Sequence, residues 1–500
     1  MTGKRKSIVL VTVDCLRADH VGFMGYNRPT TPFLDSLAGE GIVVPNAIVA
    51  GAPTYYSLPA ILASRHPLAL GRDLLGLSPD EPTLASCLKQ AEYATAAFTA
   101  ANPYISPRFG YDRGFDTFHD YLHDEPEPLA SADPNSPPAG LASRLNRKFQ
   151  LVRPALGPLG AVYDELYFRY CQLVTPIGPS LDALRRFPSA DIIIDHAQTW
   201  MSSVGDSPFF LWLHLMDPHS PYYPKDDALK LMGNGAITPY EARYINSSWN
   251  RSDLKRPRLA TRRNDVVALY DAGVRWVDVQ LQRLIGILRD SHRWDDCIFA
   301  LTADHGEEFL EHGGRYHPPS GLMEELIHVP LLLRVPGCGK KNVSSAPFSH
   351  IHLAPTLLDA ANIQPPPGFQ GISHWSEFQS GREFDGLAIS ECVAGCANPF
   401  HPDQRIGPRV LAVRDSRFKL MLFFDPPADQ LYDLESDPGE KSPLPANTEK
   451  PVRRRLLNAA REHLSRSISN RDAPSRVQAR LRELQLEWKK AADKASPVAS

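Results

Sequence analysis

The sequence predicts an α/β fold: a large mixed, mostly parallel sheet flanked by helices, followed by a small C-terminal antiparallel α+β subdomain. Three observations carry this expectation. Residues 7 to 122 alternate short β-rich runs with helical patterns, the signature of a parallel sheet covered by helices. Three apolar runs, Ile8–Val13, Phe209–Met216 and Cys297–Thr302, each end in polar side chains, as strands do where an open parallel sheet presents a ligand site. After about Asp385 the runs shorten, with Val410–Val413 and Phe418–Phe424 reading as strands of a separate small sheet.

Taken in order, the strand Ile8–Val13 is followed by helical patterns at Thr31–Leu37, Leu58–Ala63 and Leu84–Gln90. At Asp124 the composition changes, and EPEPLASADPNSPPAG is too rich in Pro and Ser for a core element, so it reads as an exposed linker or the start of an insertion. From Leu141 to about Leu184, Arg144, Arg147, Lys148 and Arg153 precede Tyr163, Tyr167, Phe168 and Tyr170. This stretch fits one or two amphipathic helices, either an inserted cap or an ordinary helical hairpin packed on the sheet. Core patterning resumes with a helix at Ala190–Met201 and the run Phe209–Met216. Val266, Tyr270, Val274, Val277, Leu281 and Ile285 then recur at three-to-four spacing and predict a helix over Asp265–Arg289. A strand at Cys297–Thr302, another at Val329–Val335 and a helix at His352–Ala361 complete the large domain before QPPPGFQG breaks regular structure. The expected organisation is thus a catalytic domain over 1–384 with 124–185 as an inserted helical cap or linker, a small subdomain over 385–469, and a charged helical tail over 470–500.

Composition narrows the function classes. Lys plus Arg number 54 and Asp plus Glu 57, a formal charge of −3, with 22% charged and 43% hydrophobic residues. These values exclude a disordered chain, a collagen-like repeat and a polycation that coats nucleic acid. No nucleic-acid partner is expected. The first apolar run stops at Asp14 without a small-residue cleavage site, so it reads as a buried strand and not a secretory signal. No run approaches the roughly 20 apolar residues of a membrane helix, and a cytoplasmic location is the expectation. Seven scattered cysteines without a C-x-x-C pair indicate neither a disulfide framework nor a structural zinc site.

The polar ends of the three strands are Asp14, then Asp217 and His219, then Asp304 and His305. A lone Asp after a strand is usually a turn residue or a helix N-cap. The adjacent pair Asp304-His305, followed by Gly306 and Glu307, offers two side chains able to bind a cation and a glycine for close backbone approach. In GAPTYYSLPAILASRHP, Ser57 as N-cap and Pro59 in the first turn predict a helix opening near Ser57, with the Thr54 hydroxyl just before its positive end. One Thr in a loop is structural far more often than nucleophilic.

The opening SIVLVTVDCLRADHVGFMGYNRPTTPFLDSLAGEGIVVPNAI, and then LTADHGEEFLEHGG, ELIHVPLLLRVPG, IHLAPTLLDAANI and QLYDLESDPGE, occur in the order of blocks typical of one family. With FLWLHLMDPHSPY, they resemble the sulfatase family of the alkaline phosphatase superfamily along nearly the whole chain. The resemblance implies metal-ligand positions at Asp14, Asp304 and His305 and a substrate-anion position at His219. Counting back from Pro67, Ser57 matches the motif serine and Thr54 the first motif residue, which implies that Thr54 is nucleophile and metal ligand. Arg65 falls on the arginine of the family's T-G-R, as a supporting salt bridge or a substrate contact.

Departures shape the implied activity. Sulfatases need Cys or Ser at the Thr54 position for conversion to formylglycine, and an Arg where Leu58 stands. Cys15 replaces the second residue of the usual Asp-Asp pair, TAANPYIS around Asn102 replaces a G-K-W-H stretch, and His317 is the nearest candidate for the absent substrate lysine. Asn102 and His317 therefore join His219 and Arg65 as expected substrate contacts, with His219 and His317 assisting Thr54. These changes resemble the phosphotransferase and phosphodiesterase branches, in which an unmodified Thr attacks phosphorus. The implied function is cleavage or transfer of a phosphate or phosphonate ester through a covalent Thr54 intermediate. Sulfuric ester hydrolysis and anion or glycan binding without turnover are the alternatives. One divalent metal ion is expected, manganese or zinc favoured by His305, with magnesium or calcium compatible. Cys15 is either a soft ligand in a zinc form or a buried thiol. The expected partner is a small-molecule, glycan or lipid-linked anionic ester, and the basic and aromatic residues of 124–185 would suit peripheral contact with a membrane. His214 reads as a core histidine, His312 as a turn cap or a support of the metal shell, and His328 and His352 as packing residues or outer supports of the site.

Overall fold

The computed structural model describes residues 5–71, 75–123, 158–174, 180–233, 237–252, 254, 256–319, 321–343, 345–396, 399–400 and 407–467. Most of the expected linker, residues 124–157, and the charged tail at 470–500 lie outside the described residues. The chain forms two compact units, one comprising Met1–Leu122, Phe187–Pro218 and Val277–Ser500, the other His123–Arg186 and His219–Trp276.

The first unit is built on eight strands: β1 (Ser7–Val13), β2 (Ile42–Val43), β3 (Ala94–Phe98), β4 (Thr117–His119), β5 (Phe209–Leu215), β6 (Cys297–Ala303), β7 (Leu331–Arg334) and β8 (Lys341–Asn342). Their spatial order is β8-β2-β7-β6-β1-β5-β3-β4. β1, β5 and β6 are parallel neighbours, while β7 runs antiparallel to β6 and β2. Every residue of these three central strands is buried, which is why they are apolar throughout instead of alternating. The expected α/β class and mostly parallel sheet are what the chain forms.

Two local expectations need correction. The run Val329–Val335 is two strands: His328–Val329 pairs with Ala47–Ile48 in a three-stranded sheet, and β7 joins the large one. Pro330 sits at the break, where it has no amide to give to a ladder. The helix expected near Ser57 starts earlier, as α1 (Thr54–Ala63), with Pro53 as its N-cap. Ser57 is no N-cap, because its hydroxyl turns back to the Thr54 carbonyl at 3.3 Å. Pro59 is tolerated inside the helix at the loss of one intrahelical bond.

Three elements of the first unit illustrate the local chemistry. The helix Leu84–Gln90 is closed by a capping box in which Thr83 and Ser86 exchange side-chain and backbone bonds. The long helix α2 (Arg263–Asp290) is shared between the two units, and its fully buried Asp278 accepts the amides of Phe33 and Leu34 at 3.1 and 2.8 Å. That carboxylate satisfies orphan donors at the start of the helix Pro32–Ala38. Asp217 does the same for the Ala190 amide at 3.0 Å, so it is a structural residue.

At the C-terminal end, β9 (Ala388–Val393), β10 (Arg409–Arg414), β11 (Phe418–Phe424) and β12 (Pro427–Asp433) form an antiparallel sheet in sequence order. Helix α3 (Lys450–Arg466) covers it, burying Leu456, Leu457, Ala460 and Leu464 against Leu411, Val413, Leu420, Leu422 and Leu431. Leu456→Ala should cost about 2–5 kcal/mol, the range for emptying a packed leucine site, and urea unfolding measures it. An unchanged midpoint would show that this helix does not contribute to the cooperative core.

A buried ionic network joins this sheet to the segment before β7. Glu324 lies 3.2 Å from both Arg414 Nε and Lys419 Nζ, and Lys419 also reaches Glu440 at 2.8 Å. Burial alone would raise the Glu324 carboxyl, but the Lys419 and Arg414 charges overcome it and bring it down from 4.5 to about 2. A folded value below the unfolded one means stability that is fully present above about pH 4.5 and is lost as pH falls towards 2. Glu324→Gln is expected to lower stability at neutral pH and to flatten that acid limb. Parallel melting curves from pH 7 to pH 3 would refute this if the two proteins lost stability in step.

The second unit contains the helices Pro158–Val174, Asp226–Leu231, Pro239–Trp249 and Arg256–Ala260. Pro239–Trp249 opens with Thr238 and Glu241 in a capping box and Pro at its first position. Its Arg243, 1% exposed, donates to the Gln172 side chain at 3.1 Å, and Asn246 brackets the Tyr222 backbone at 2.7 and 2.9 Å.

Candidate active site

Register explains how the first unit assembles a site. Thr12 pairs with His214 on one side and Thr302 on the other. Side chains of paired residues in parallel strands share a face, and so do residues two apart. Thr12, Asp14, His214, Thr302 and Asp304 therefore face the same way at the carboxyl ends of β1, β5 and β6. Thr12 Oγ1 lies 2.9 Å from His214 Nδ1, and His214 Nε2 lies 3.2 Å from Asp14 Oδ2. His214 is thus a buried core histidine with both ring nitrogens partnered, as expected, and one of those partners is Asp14.

Asp14 and Asp304 are both fully buried. Asn102 Nδ2 donates to Asp14 Oδ2 at 2.9 Å, which leaves Oδ1 beside the Cys15 thiol at 3.0 Å and His305 Nε2 at 3.6 Å. Asp304 Oδ1 accepts the amides of His305 and Cys15 at 2.9 and 3.3 Å. Its Oδ2 has no hydrogen-bond partner among the described residues and lies 3.6 Å from His305 Nε2. Burial pushes the Asp304 carboxyl above its ordinary value and the Asp14 charge adds to this, while His305, His214 and the Thr54 hydroxyl act the other way.

His305 Nδ1 sits 2.8 Å from the Gly306 carbonyl and so carries the proton, which leaves a lone pair on Nε2. That lone pair faces the two carboxylates and the Thr54 hydroxyl, 3.1 Å away. Three electron-rich atoms and a hydroxyl turned towards one another in a dry site, with one carboxylate oxygen unpartnered, make a donor set that fits a divalent cation. Asp14, Asp304, His305 and Thr54 are the residues able to hold it.

The backbone is strained around these groups. Cys15 has φ 62°, and Ala100 and Ala101 before Asn102 have φ 25° and 58°. Side-chain-bearing residues avoid this region unless the surroundings enforce it, and such positions cluster at functional sites. Gly306 has a different role from the approach to a ligand that the sequence suggested. A Cβ there would meet the Glu325 carbonyl at 1.9 Å, so the glycine lets the segment after His305 pass against its neighbour.

Thr54 is the first residue of α1, 4% exposed, where the helix dipole favours negative charge. His317 Nδ1 lies 2.9 Å from Glu307 Oε2 and 3.4 Å from Cys15 Sγ, and its ring centroid is 4.6 Å from that of His305. Glu307, fully buried, is a site residue that sequence reasoning passed over although it stands inside the quoted T-A-D-H-G-E block. Burial raises the Cys15 thiol well above its usual value, and Glu307, Asp14 and Asp304 raise it further.

The first unit thus brings together Asp14, Thr54, Asn102, Asp304, His305 and His317. Arg65 is placed otherwise. It lies past the far end of α1, and its five N–H donors go to Glu81 (2.6 and 3.2 Å) and to the carbonyls of His66, Pro67 and Gly76 (3.2, 3.2 and 2.8 Å). The salt bridge is its role, and the expected substrate contact is withdrawn because no donor remains. His219 is the first residue of the second segment of the second unit, where its Nδ1 contacts the Ser220 carbonyl. His312 bonds to Glu325 at 2.6 Å and to the Glu440 carbonyl at 3.2 Å, and His328 reaches the Pro45 carbonyl at 2.8 Å, both structural contacts.

Residues 6–363 match the family model described as sulfatase, and residues 315–466 match that of the N-sulphoglucosamine sulphohydrolase C-terminal region. An N-acetylglucosamine-6-O-sulfatase of Bacteroides thetaiotaomicron is 22% identical over 94% of this chain and 88% of its own length. Arylsulfatase K of Gallus gallus is 27% identical, but that match spans 50% of each chain. Among solved structures, one determined with D-glucosamine-2-N,6-O-disulfate as its substrate superposes with a TM-score of 0.67 at 18% identity, covering 94% of this chain and 99% of that one. The phosphonate monoester hydrolase of Silicibacter pomeroyi gives a TM-score of 0.64 at 20% identity, over 94% and 96%. At these identities the solved structures establish a shared fold.

Proposed function

Since the chain belongs to the sulfatase family of the alkaline phosphatase superfamily, we propose that it is a metal-dependent enzyme that cleaves or transfers a phosphate or phosphonate ester through a covalent intermediate on Thr54. The observation that carries this reading is the Thr54 hydroxyl at 3.1 Å from Nε2 of His305, beside the buried Asp14 and Asp304 carboxylates. A divalent ion held by Asp14, Asp304, His305 and Thr54, manganese or zinc favoured and magnesium or calcium compatible, would stabilise the ionised hydroxyl and withdraw charge from a nonbridging oxygen of the ester.

Thr54 Oγ1, its proton given up to solvent, would attack phosphorus in line. The Thr–O–P bond forms as the bond to the leaving alcohol breaks, and the leaving oxygen takes the electron pair. His317, oriented through Nδ1 by Glu307, donates a proton to that oxygen. His219 is assigned to the charge on the transferring group. Water, giving a proton back to His317, then attacks the phospho-Thr54 and frees the residue, and an acceptor alcohol in place of water makes the same chemistry a transfer. Asn102 keeps Asp14 oriented through its bond to Oδ2.

Residues 1–384 are taken as the catalytic domain with 124–185 as its insertion, 385–469 as a subdomain and 470–500 as a tail. The substrate is a small-molecule, glycan or lipid-linked anionic ester, and the cytoplasm is the proposed location. No helix among the described residues is long and apolar enough to cross a membrane. Peripheral membrane contact is supported by Val162, Leu166, Tyr170 and Leu173, exposed at three-to-four-residue spacing along Pro158–Val174.

A sulfate ester is the second reading, favoured by the sulfatases among the relatives and by the sulphohydrolase model matched at residues 315–466. Threonine at position 54 opposes it, because formylglycine is made from Cys or Ser. Rates on an aryl sulfate, a phosphate monoester, a phosphodiester and a phosphonate monoester, taken with one metal-loaded sample, separate the two. A phosphorus ester should be fastest by orders of magnitude. Fastest turnover of the sulfate would overturn the assignment.

A further inference from the structure

We infer that His66, Glu391 and His463 form a second metal site, suited to zinc, that ties the C-terminal helix to the end of α1. This inference does not depend on the Thr54 chemistry. His66 lies three residues after α1 ends, Glu391 is on β9 and His463 is on α3. One ligand atom of each lies within 4.8 Å of the other two.

The closest pair is Glu391 Oε2 and His463 Nε2, 3.1 Å apart. Tetrahedral zinc, with bonds of about 2.0–2.2 Å, holds its nitrogen and oxygen ligands about 3.3–3.5 Å from one another, so this pair is already spaced close to one edge of such a site. The His66 and His463 rings meet edge to face with centroids 4.5 Å apart. His66 is 8% exposed, and its Nδ1 is buried without a hydrogen-bond partner among the described residues, a position rarely left unsatisfied in a native interior. Both histidines line a cavity of about 350 Å³, which gives an ion and its water a route in.

Glu391 is held ready for this use. Its Oε1 accepts the Leu68 amide at 2.9 Å, which turns Oε2 towards His463. Arg409 NH2 is also 2.8 Å from Oε2 but is not aligned for a hydrogen bond to it. A carboxylate offers about four lone-pair sites, enough for the amide, the guanidinium and an ion. Two imidazoles and one carboxylate form a donor set characteristic of zinc, and calcium or magnesium would prefer oxygen alone.

The test uses the full-length chain with the first site silenced by Asp14→Asn and Asp304→Asn. After chelator treatment, dialysis against zinc and elemental analysis, this protein should retain one zinc per chain, and adding His463→Gln should remove it. Cobalt(II) in place of zinc should give a visible absorption band that His463→Gln abolishes. If the double substitution unfolds the chain, wild type and His463→Gln compared directly should differ by one zinc per chain. Absence of zinc from the folded double variant, or an equal zinc content in wild type and His463→Gln, would overturn the inference.

Discussion

Thr54→Ala is expected to lower kcat/KM for the preferred ester by about 10⁴-fold or more, the scale on which removal of a covalent nucleophile acts, while the melting temperature stays close to wild type. The side chain is small and 4% exposed, so its loss removes little packing. Thr54→Ser should restore most of the rate, because the attacking oxygen returns and only a methyl group is lost. A residual rate in Thr54→Ala within about tenfold of wild type would mean that water attacks the ester directly, with the hydroxyl serving merely as a ligand.

Asp304→Ala carries the second large effect, on two readouts of opposite sign. Asp304 Oδ2 has no hydrogen-bond partner among the described residues, and its carboxyl is pushed up by burial and by Asp14. Without a cation the two carboxylates repel. Removing one should therefore raise the melting temperature of chelator-treated protein, abolish the rise produced by added metal, and lower activity by more than the 10–100-fold typical of losing an outer-shell partner. Asn102→Ala, which removes only the bond to Asp14 Oδ2, should fall within that smaller range. Metal-dependent stabilisation that survived in Asp304→Ala would place the ion elsewhere.

Much of this arrangement is legible in the residues themselves. Asp14, Asp304 and His305 stand at the ends of apolar runs, and strand ends in a parallel sheet converge. Thr54 needed the motif count from Pro67, since nothing in its local composition sets it apart. The contact of His214 with Asp14 was missed because its cause lies in register. Only the pairing of Thr12 with both His214 and Thr302 places its ring on the face of Asp14. Glu307 was passed over because a glutamate after a glycine resembles any solvated loop residue until burial is known. The start of α1 was misplaced because Ser57 and Pro59 carry strong helix-start chemistry, whereas the residue at the N-cap position, Pro53, lies four residues before Ser57 and makes no side-chain cap. Arg65 matched a family position whose chemistry the fold uses for an internal salt bridge to Glu81. The split at Pro330 is the kind of break that proline announces, yet the apolar residues on both sides read as a single strand.

The central claim is that Thr54 becomes covalently attached to the transferred group. Acid quenching of the metal-loaded enzyme during turnover of a phosphorus-labelled phosphonate or phosphodiester, followed by peptide mapping, tests it most directly. Label on the peptide containing Thr54, formed and lost at rates that match turnover and absent from Thr54→Ala, is the predicted result. Steady turnover with no label on that peptide at any quench time, although the label remains stable to acid on a phosphothreonine standard, would contradict it.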